Sequence, residues 1–176
     1  MNQIAKLSSQ EKAYLAGFLD GDGCLNAQIV RRSDYIFQFQ IRVSVTFFQK
    51  TKRHWFLQQL QKQLSYGSVR KRKDGMSEYT LVGKEAVFFL LKEVEPFLRI
   101  KRPQLKLLLE IIETFPKIKD PQAFLALCER VDTLGQLNDS KRRSITSQTV
   151  RETWAIDSPL VPVETVRFQT NDSSFD

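Results

Sequence analysis

A chain of 176 residues, 41% hydrophobic and 27% charged, fits one ordinary globular domain, and no apolar run approaches the roughly 18 residues that a membrane span needs. The N-terminal MNQIAKLSSQEK lacks the apolar centre of a secretory signal, so the sequence reads as a soluble intracellular protein. Net charge is +7; residues 156–176 set Asp157, Glu164, Asp172 and Asp176 against Arg167 alone, a net of −3, which leaves +10 on residues 1–155. An excess of that size on one domain points to a polyanionic partner.

In chain order, Ser8 and Glu11 stand at capping-box spacing and good helix formers follow, so a helix is expected over about 9–21. Ala13, Gly17 and Gly21 fall at i, i+4 and i+8 on one of its faces and leave room for another backbone. Glycine inside a helix costs roughly 1 kcal/mol relative to alanine, and Gly17 is too far from the helix end to be a cap, so a compensating contact is expected there.

Strand-like alternation runs from Cys24 to Arg32 and again from Tyr35 to Gln49, with RRSD between them as the turn of a hairpin. Thr51 is expected to cap the next helix, whose Phe56, Leu60 and Leu64 form a core stripe. A second hairpin, YGSVRKR and EYTLV, turns at Asp74-Gly75. Helices over about 84–95, 104–115 and 121–134 are punctuated by prolines, and a short last one is expected at 147–154. The order helix, hairpin, helix, hairpin, helices reads as α+β with an antiparallel sheet, a single domain over 1–155 and a loosely ordered tail over 156–176. Cys24 and Cys128 lack any metal or disulfide spacing and read as reduced structural residues.

The polar faces of the strands hold Asn26, Gln28, Gln38, Gln40, Arg42, Arg70 and Arg72. Solvated strands usually carry Lys, Glu and Thr instead. Amides pair bidentately with adenine and guanidinium groups with guanine in the major groove, which a two-stranded ribbon enters, so this face is expected to read duplex DNA. NDSKRRSITS and LRIKR add basic residues near helix ends, suited to phosphate contacts.

One stretch resists the ordinary rules. LAGFLDGDG, residues 15–23, puts Asp20 and Asp22 where a helix closes, although the macrodipole disfavours negative charge there. This stretch resembles the defining motif of the LAGLIDADG homing endonucleases, with Phe18 and Gly21 as departures and Leu19 in place of isoleucine. The order αββαββα, with further C-terminal helices, is similar to that family's core from about Leu7 to Trp154. One copy of the motif is present, and QKTKRHWFL and NDSKRRS…TSQTVR resemble the homodimeric branch typified by algal chloroplast intron enzymes.

The resemblance implies that the motif helices of two subunits pack through Ala13, Gly17 and Gly21, and that Asp22 projects from each into a shared active site. Two carboxylates at adjacent helix ends repel each other, and a divalent cation relieves them. Asp22 and the carbonyl of Gly21 would hold Mg²⁺, with Mn²⁺ able to substitute, for in-line hydrolysis of a phosphodiester. Gln49, Arg53 and Lys101 match positions that line the active site, whereas Asp20, on another helix face, is expected to cap or pack, and His54 to serve structure or a phosphate.

The same resemblance maps a β-saddle onto the two hairpins, with Asn26, Gln28, Arg32, Tyr35, Gln38, Gln40, Arg42, Ser44, Thr46, Arg70, Arg72, Glu78 and Thr80 facing the bases. Lys141, Arg142 and Arg143 would contact phosphates. It implies a homodimer cutting both strands of a long pseudopalindromic site, with a chloroplast or mitochondrion as the expected compartment. Two alternatives stay open on the same fold: a maturase that binds intron RNA, and a DNA-binding regulator that does not cut. A membrane-surface role lacks any helix with a basic face opposite a large apolar one.

Overall fold

The computed structural model describes residues 6–138 and 143–157. Helix α1 (Ser9–Asp22) starts with the expected capping box: Ser8 Oγ accepts from the Glu11 amide, and Glu11 Oε2 accepts from the Ser8 amide at 2.6 Å. It passes without a loop into β1 (Gly23–Arg31). A β-carbon on Gly23 would lie 2.7 Å from the backbone of Leu19, so only glycine allows the chain to turn so sharply from helix to strand.

β1 pairs antiparallel with β2 (Phe39–Lys50), from Gly23 opposite Phe47 to Arg31 opposite Phe39. β2 pairs with β4 (Met76–Val82), and β4 with β3 (Ser68–Lys71), giving the order β1-β2-β4-β3. Leu25, Ala27, Ile29, Phe39, Ile41, Val43, Val45, Phe47, Tyr79 and Leu81 are buried on one face, against the helices. At about 25 cal/mol per Å² this apolar burial dominates the fold. Helices α2 (His54–Leu64), α3 (Lys84–Val94), α4 (Arg102–Thr114), α5 (Pro121–Leu137) and α6 (Ser147–Asp157) complete the architecture. The α+β class and the αββαββα order with C-terminal helices stand as expected. Most of the tail anticipated over 156–176 lies outside the described residues.

Three local expectations are corrected. The second strand begins at Phe39 and not at Tyr35. Residues 32–38 form a loop of two turns, closed by the Arg32 amide on the Gln38 carbonyl, and Gln38 adopts φ +59°, which breaks strand alternation. Phe37 then packs on Phe124, ring centroids 4.8 Å apart, and its carbonyl accepts from Trp154 Nε1, so the loop follows the C-terminal helices. Thr51 opens a 3₁₀ turn, Thr51–Arg53, and does not cap α2. The buried stripe of α2 is Leu57, Leu60 and Leu64, while Phe56 is half-buried against Tyr14 and Phe18.

Candidate active site and nucleic-acid interface

The end of α1 sits where helix, sheet and the 99–101 segment meet. The carboxylate of Asp22 is exposed, and its Oδ2 accepts from Gln49 Nε2 at 3.0 Å. Gln49 Oε1 accepts in turn from Arg53 Nη1 at 3.3 Å. These residues come from three elements: the last turn of α1, the end of β2 and the 3₁₀ turn. Lys101 approaches from the other side, donating Nζ to the carbonyls of Leu19, 3.0 Å, and Asp20, 2.5 Å. It therefore adds a cation to two carbonyls of the closing turn, of which that of Leu19 also accepts the Gly23 amide, and offsets the negative pole of the dipole. All four residues expected at the active site converge on one helix terminus.

Asp20 takes the packing role expected of it. Its carboxylate accepts the backbone N–H groups of Arg99, Ile100 and Lys101 at 2.7, 3.1 and 2.9 Å. Burial pushes its carboxyl up, but those donors and the nearby Lys101 charge outweigh it, so the group is held below the ordinary aspartate range. His54 is likewise structural, with Nδ1 3.0 Å from the hydroxyl of the fully buried Ser77.

Asp22 and the exposed Gly21 suit a hard cation, because an exposed carboxylate with Oδ1 uncommitted among the described residues is the donor type that Mg²⁺ takes. One described chain brings together no cluster of three or more His, Cys, Asp or Glu able to cage a metal by itself. Further oxygens would come from a second copy, a phosphate or water. The face for that copy is open: Ala13, Gly17 and Gly21 are exposed, a β-carbon on either glycine would meet nothing within 4 Å, and neighbouring Tyr14 is 57% exposed.

The sheet face away from the helices carries the expected readers in cross-strand rows. Asn26 lies opposite Ser44, Gln28 opposite Arg42, Thr46 opposite Thr80, and Arg70 opposite Glu78. Gln40 lies opposite Val30. Thr46 and Thr80 share a hydroxyl contact of 3.1 Å. Arg70 Nε binds Glu78 at 2.5 Å, and Arg72, just beyond β3, reaches both Asp74, 2.7 Å, and Glu78, 3.5 Å.

Four members of the expected interface stand differently. Tyr35 and Arg32 lie in the loop, where the guanidinium stacks 5.1 Å above the ring and pairs with Asp34. Gln38, expected to face DNA, lies outside the strand and its alternation. Arg143, expected on phosphates, turns inward: Nη1 donates to the Val131 carbonyl and Nη2 to Asn26 Oδ1. Gly135 makes the space, since a β-carbon there would collide with the guanidinium. Lys141 and Arg142 lie outside the described residues.

The sequence reading passed over Cys24, Val30, Phe48 and Ser68, which occupy the same rows; strand register was the signal that finds them. Burial pushes the thiol of Cys24 up and that of Cys128 to about 12, as expected of unreactive structural cysteines.

Residues 15–98 match the LAGLIDADG endonuclease family. The chain is 49% identical over 140 residues to the DNA endonuclease I-CvuI of Chlorella vulgaris, covering 80% of this chain and 87% of that one. This chain belongs to the LAGLIDADG endonuclease family. It is also 42% identical to the DNA endonuclease I-CreI of Chlamydomonas reinhardtii, over 83% of this chain and 90% of that one. The crystal structure of I-CvuI with its target in the presence of Ca superposes with a TM-score of 0.76 at 46% identity, over 82% of this LAGLIDADG chain and 92% of that one. The archaeal I-Vdi141I shares the fold, with a TM-score of 0.69, at 14% identity.

Proposed function

We propose that the chain is a site-specific homing endonuclease that works as a homodimer on double-stranded DNA and hydrolyses one phosphodiester in each strand of a long pseudopalindromic site. The observation that carries this is the hydrogen-bonded series Asp22, Gln49, Arg53 at the exposed end of the motif helix, beside a polar four-stranded face, in a relative of two DNA endonucleases. The maturase and regulator readings are not favoured: the two algal relatives are endonucleases, and a module that only binds has no use for paired carboxylates at its centre.

Asp22, with the Gly21 carbonyl, would hold Mg²⁺, or Mn²⁺ in its place. A bound cation of this kind lowers the pKa of an attacking water and offsets charge on the phosphate. Gln49 fixes the rotamer of Asp22 and keeps its second oxygen available. Arg53 brings a cation next to that amide, where charge grows on the phosphate as the bond breaks. Lys101 keeps the carboxylate-bearing helix end electrostatically tolerable. Asn26, Gln28, Gln40, Arg42, Ser44, Thr46, Arg70, Arg72, Glu78 and Thr80 form the reading face, each subunit taking one half-site. The biological role is homing of the intron that carries the gene, in a chloroplast; among the described residues no helix is long and apolar enough to cross a membrane.

The deciding experiment incubates purified protein with a library of long duplexes, with Mg²⁺ or with EDTA, and sequences the cut ends. Mg²⁺-dependent double-strand cuts at a pseudopalindrome are expected. Enrichment without cuts would point to a regulator, and indifference to duplex DNA would point to intron RNA.

A further inference from the structure

Asn26 sits on the polar face of β1, beside a groove of about 460 Å³ that Gln28, Asn138, Arg143 and Ser144 help to line. Arg143 donates Nη2 to its Oδ1 at 3.2 Å and is itself fixed by the Val131 carbonyl at 3.0 Å. A guanidinium has donors only, so the amide oxygen has to face it; the reversed amide would set N–H against N–H. Oxygen and nitrogen diverge from one planar carbon, and fixing the first fixes the second. No described acceptor engages Nδ2 of Asn26.

We propose that Arg143 holds Asn26 as a one-sided reader, a hydrogen-bond donor whose acceptor is weakened by the adjacent guanidinium, which disfavours cytosine at one position of each half-site. A free asparagine favours adenine, donating to N7 while accepting from N6. Oδ1 keeps a second lone pair, but it lies beside the Arg143 charge, which repels the amino hydrogens of a base and so weakens the accepting half of that pair. The remaining N–H₂ is matched by guanine N7 or O6, adenine N7 or thymine O4, whereas the major-groove edge of cytosine offers only the N4 amino donor. Arg143 thus specifies sequence through Asn26 and is a positioning residue. The inference rests on the reading that this sheet face meets the bases of a duplex.

The test measures relative affinity and cleavage for a half-site series with all four bases at every position, using the full chain with Mg²⁺ and, for binding alone, Ca²⁺. The native protein is expected to disfavour cytosine about tenfold at one position, and Asn26→Ala to flatten that preference. Asn26→Asp keeps an oxygen for Arg143 and turns the other toward the base as an acceptor, so cytosine should become the preferred base there. A misfolded variant cannot gain a preference, which keeps this arm informative. Arg143→Met frees the amide and should raise adenine above guanine and thymine at the same position.

If Asn26→Ala flattens a position but Asn26→Asp leaves cytosine disfavoured there, the one-sided orientation is wrong. If Asn26→Ala changes no base preference while site-specific cutting persists, Asn26 is not a reader and only this inference falls. Absence of any duplex binding by the native chain would remove the underlying reading as well.

Discussion

The carboxylate of Asp22 is held by the side-chain amide of Gln49 at 3.0 Å, across the junction between the motif helix and the end of β2. That bond uses one carboxylate oxygen and leaves the other without a partner among the described residues, and because Gln49 also accepts from Arg53, carboxylate and guanidinium are coupled through one amide without touching. A direct ion pair would neutralise the acid and remove it from the cation it is proposed to hold. The amide spacer preserves both charges.

Asp22→Asn should therefore keep the contact to Gln49 and lose cutting. A carboxamide oxygen is a weaker ligand for Mg²⁺, and forfeiting about 4 kcal/mol of transition-state stabilisation corresponds to roughly a 10³-fold slower single-turnover rate. Affinity for the cognate duplex in Ca²⁺ should change less than a few-fold. Cutting at the native rate would remove Asp22 from the metal site.

Gly17→Leu probes the open face of α1. Space around Gly17 in one chain is empty within 4 Å, and leucine improves helix propensity by about 1 kcal/mol, so the isolated subunit should fold. A second helix packed there would be pushed away. Sedimentation should show a folded species at the 20.5 kDa of one chain, without cleavage activity. A dimer of unchanged size would place the interface elsewhere.

Asp20 supports a pH prediction. Its carboxyl is held below the ordinary range by three backbone donors despite burial, so between the folded and unfolded values the unfolded chain binds more protons. The stability it contributes is complete above about pH 4 and is lost as pH falls through the folded value. Asp20→Ala, which leaves three N–H groups unpaired, should cost about 2 kcal/mol in urea unfolding at pH 7, with a smaller difference at pH 3. A difference independent of pH would mean that the carboxylate is not the anchor.

The same residues show how far sequence alone carries. Alternation from Ile41 to Phe47 defines a strand with one buried face, and the capping box marks the start of α1, because both signals are local. The partners of Asp20 are about eighty positions away, and no spacing rule reaches them. Tyr35 to Gln38 carry strand-like residues but obey Phe124 and Trp154, which draw Phe37 away while Gln38 takes a left-handed conformation. Arg143 reads as one member of a basic run, and only Gly135, next to it in space, shows that its charge is spent inside. Asp22, Gln49, Arg53 and Lys101 were legible through family resemblance, not through any pattern of their own.

Arg70 and Glu78 give the last prediction. They face each other across β3 and β4, and Glu78, whose side chain is only 12% exposed, also reaches Arg72. An arginine committed to a carboxylate in the free protein has a fixed fork and a reduced field, which favours base contacts over indiscriminate phosphate binding. Arg70→Ala should relax preference at one or two base pairs per half-site by about 1 to 3 kcal/mol. Glu78→Gln should act oppositely on background binding, tightening affinity for random duplex and steepening its salt dependence, because two guanidinium groups per subunit are released toward the phosphates. If Arg70→Ala weakens all sequences equally and Glu78→Gln leaves random-duplex affinity unchanged, the pair is not a reading device, and the specificity of this face has to reside in β1 and β2.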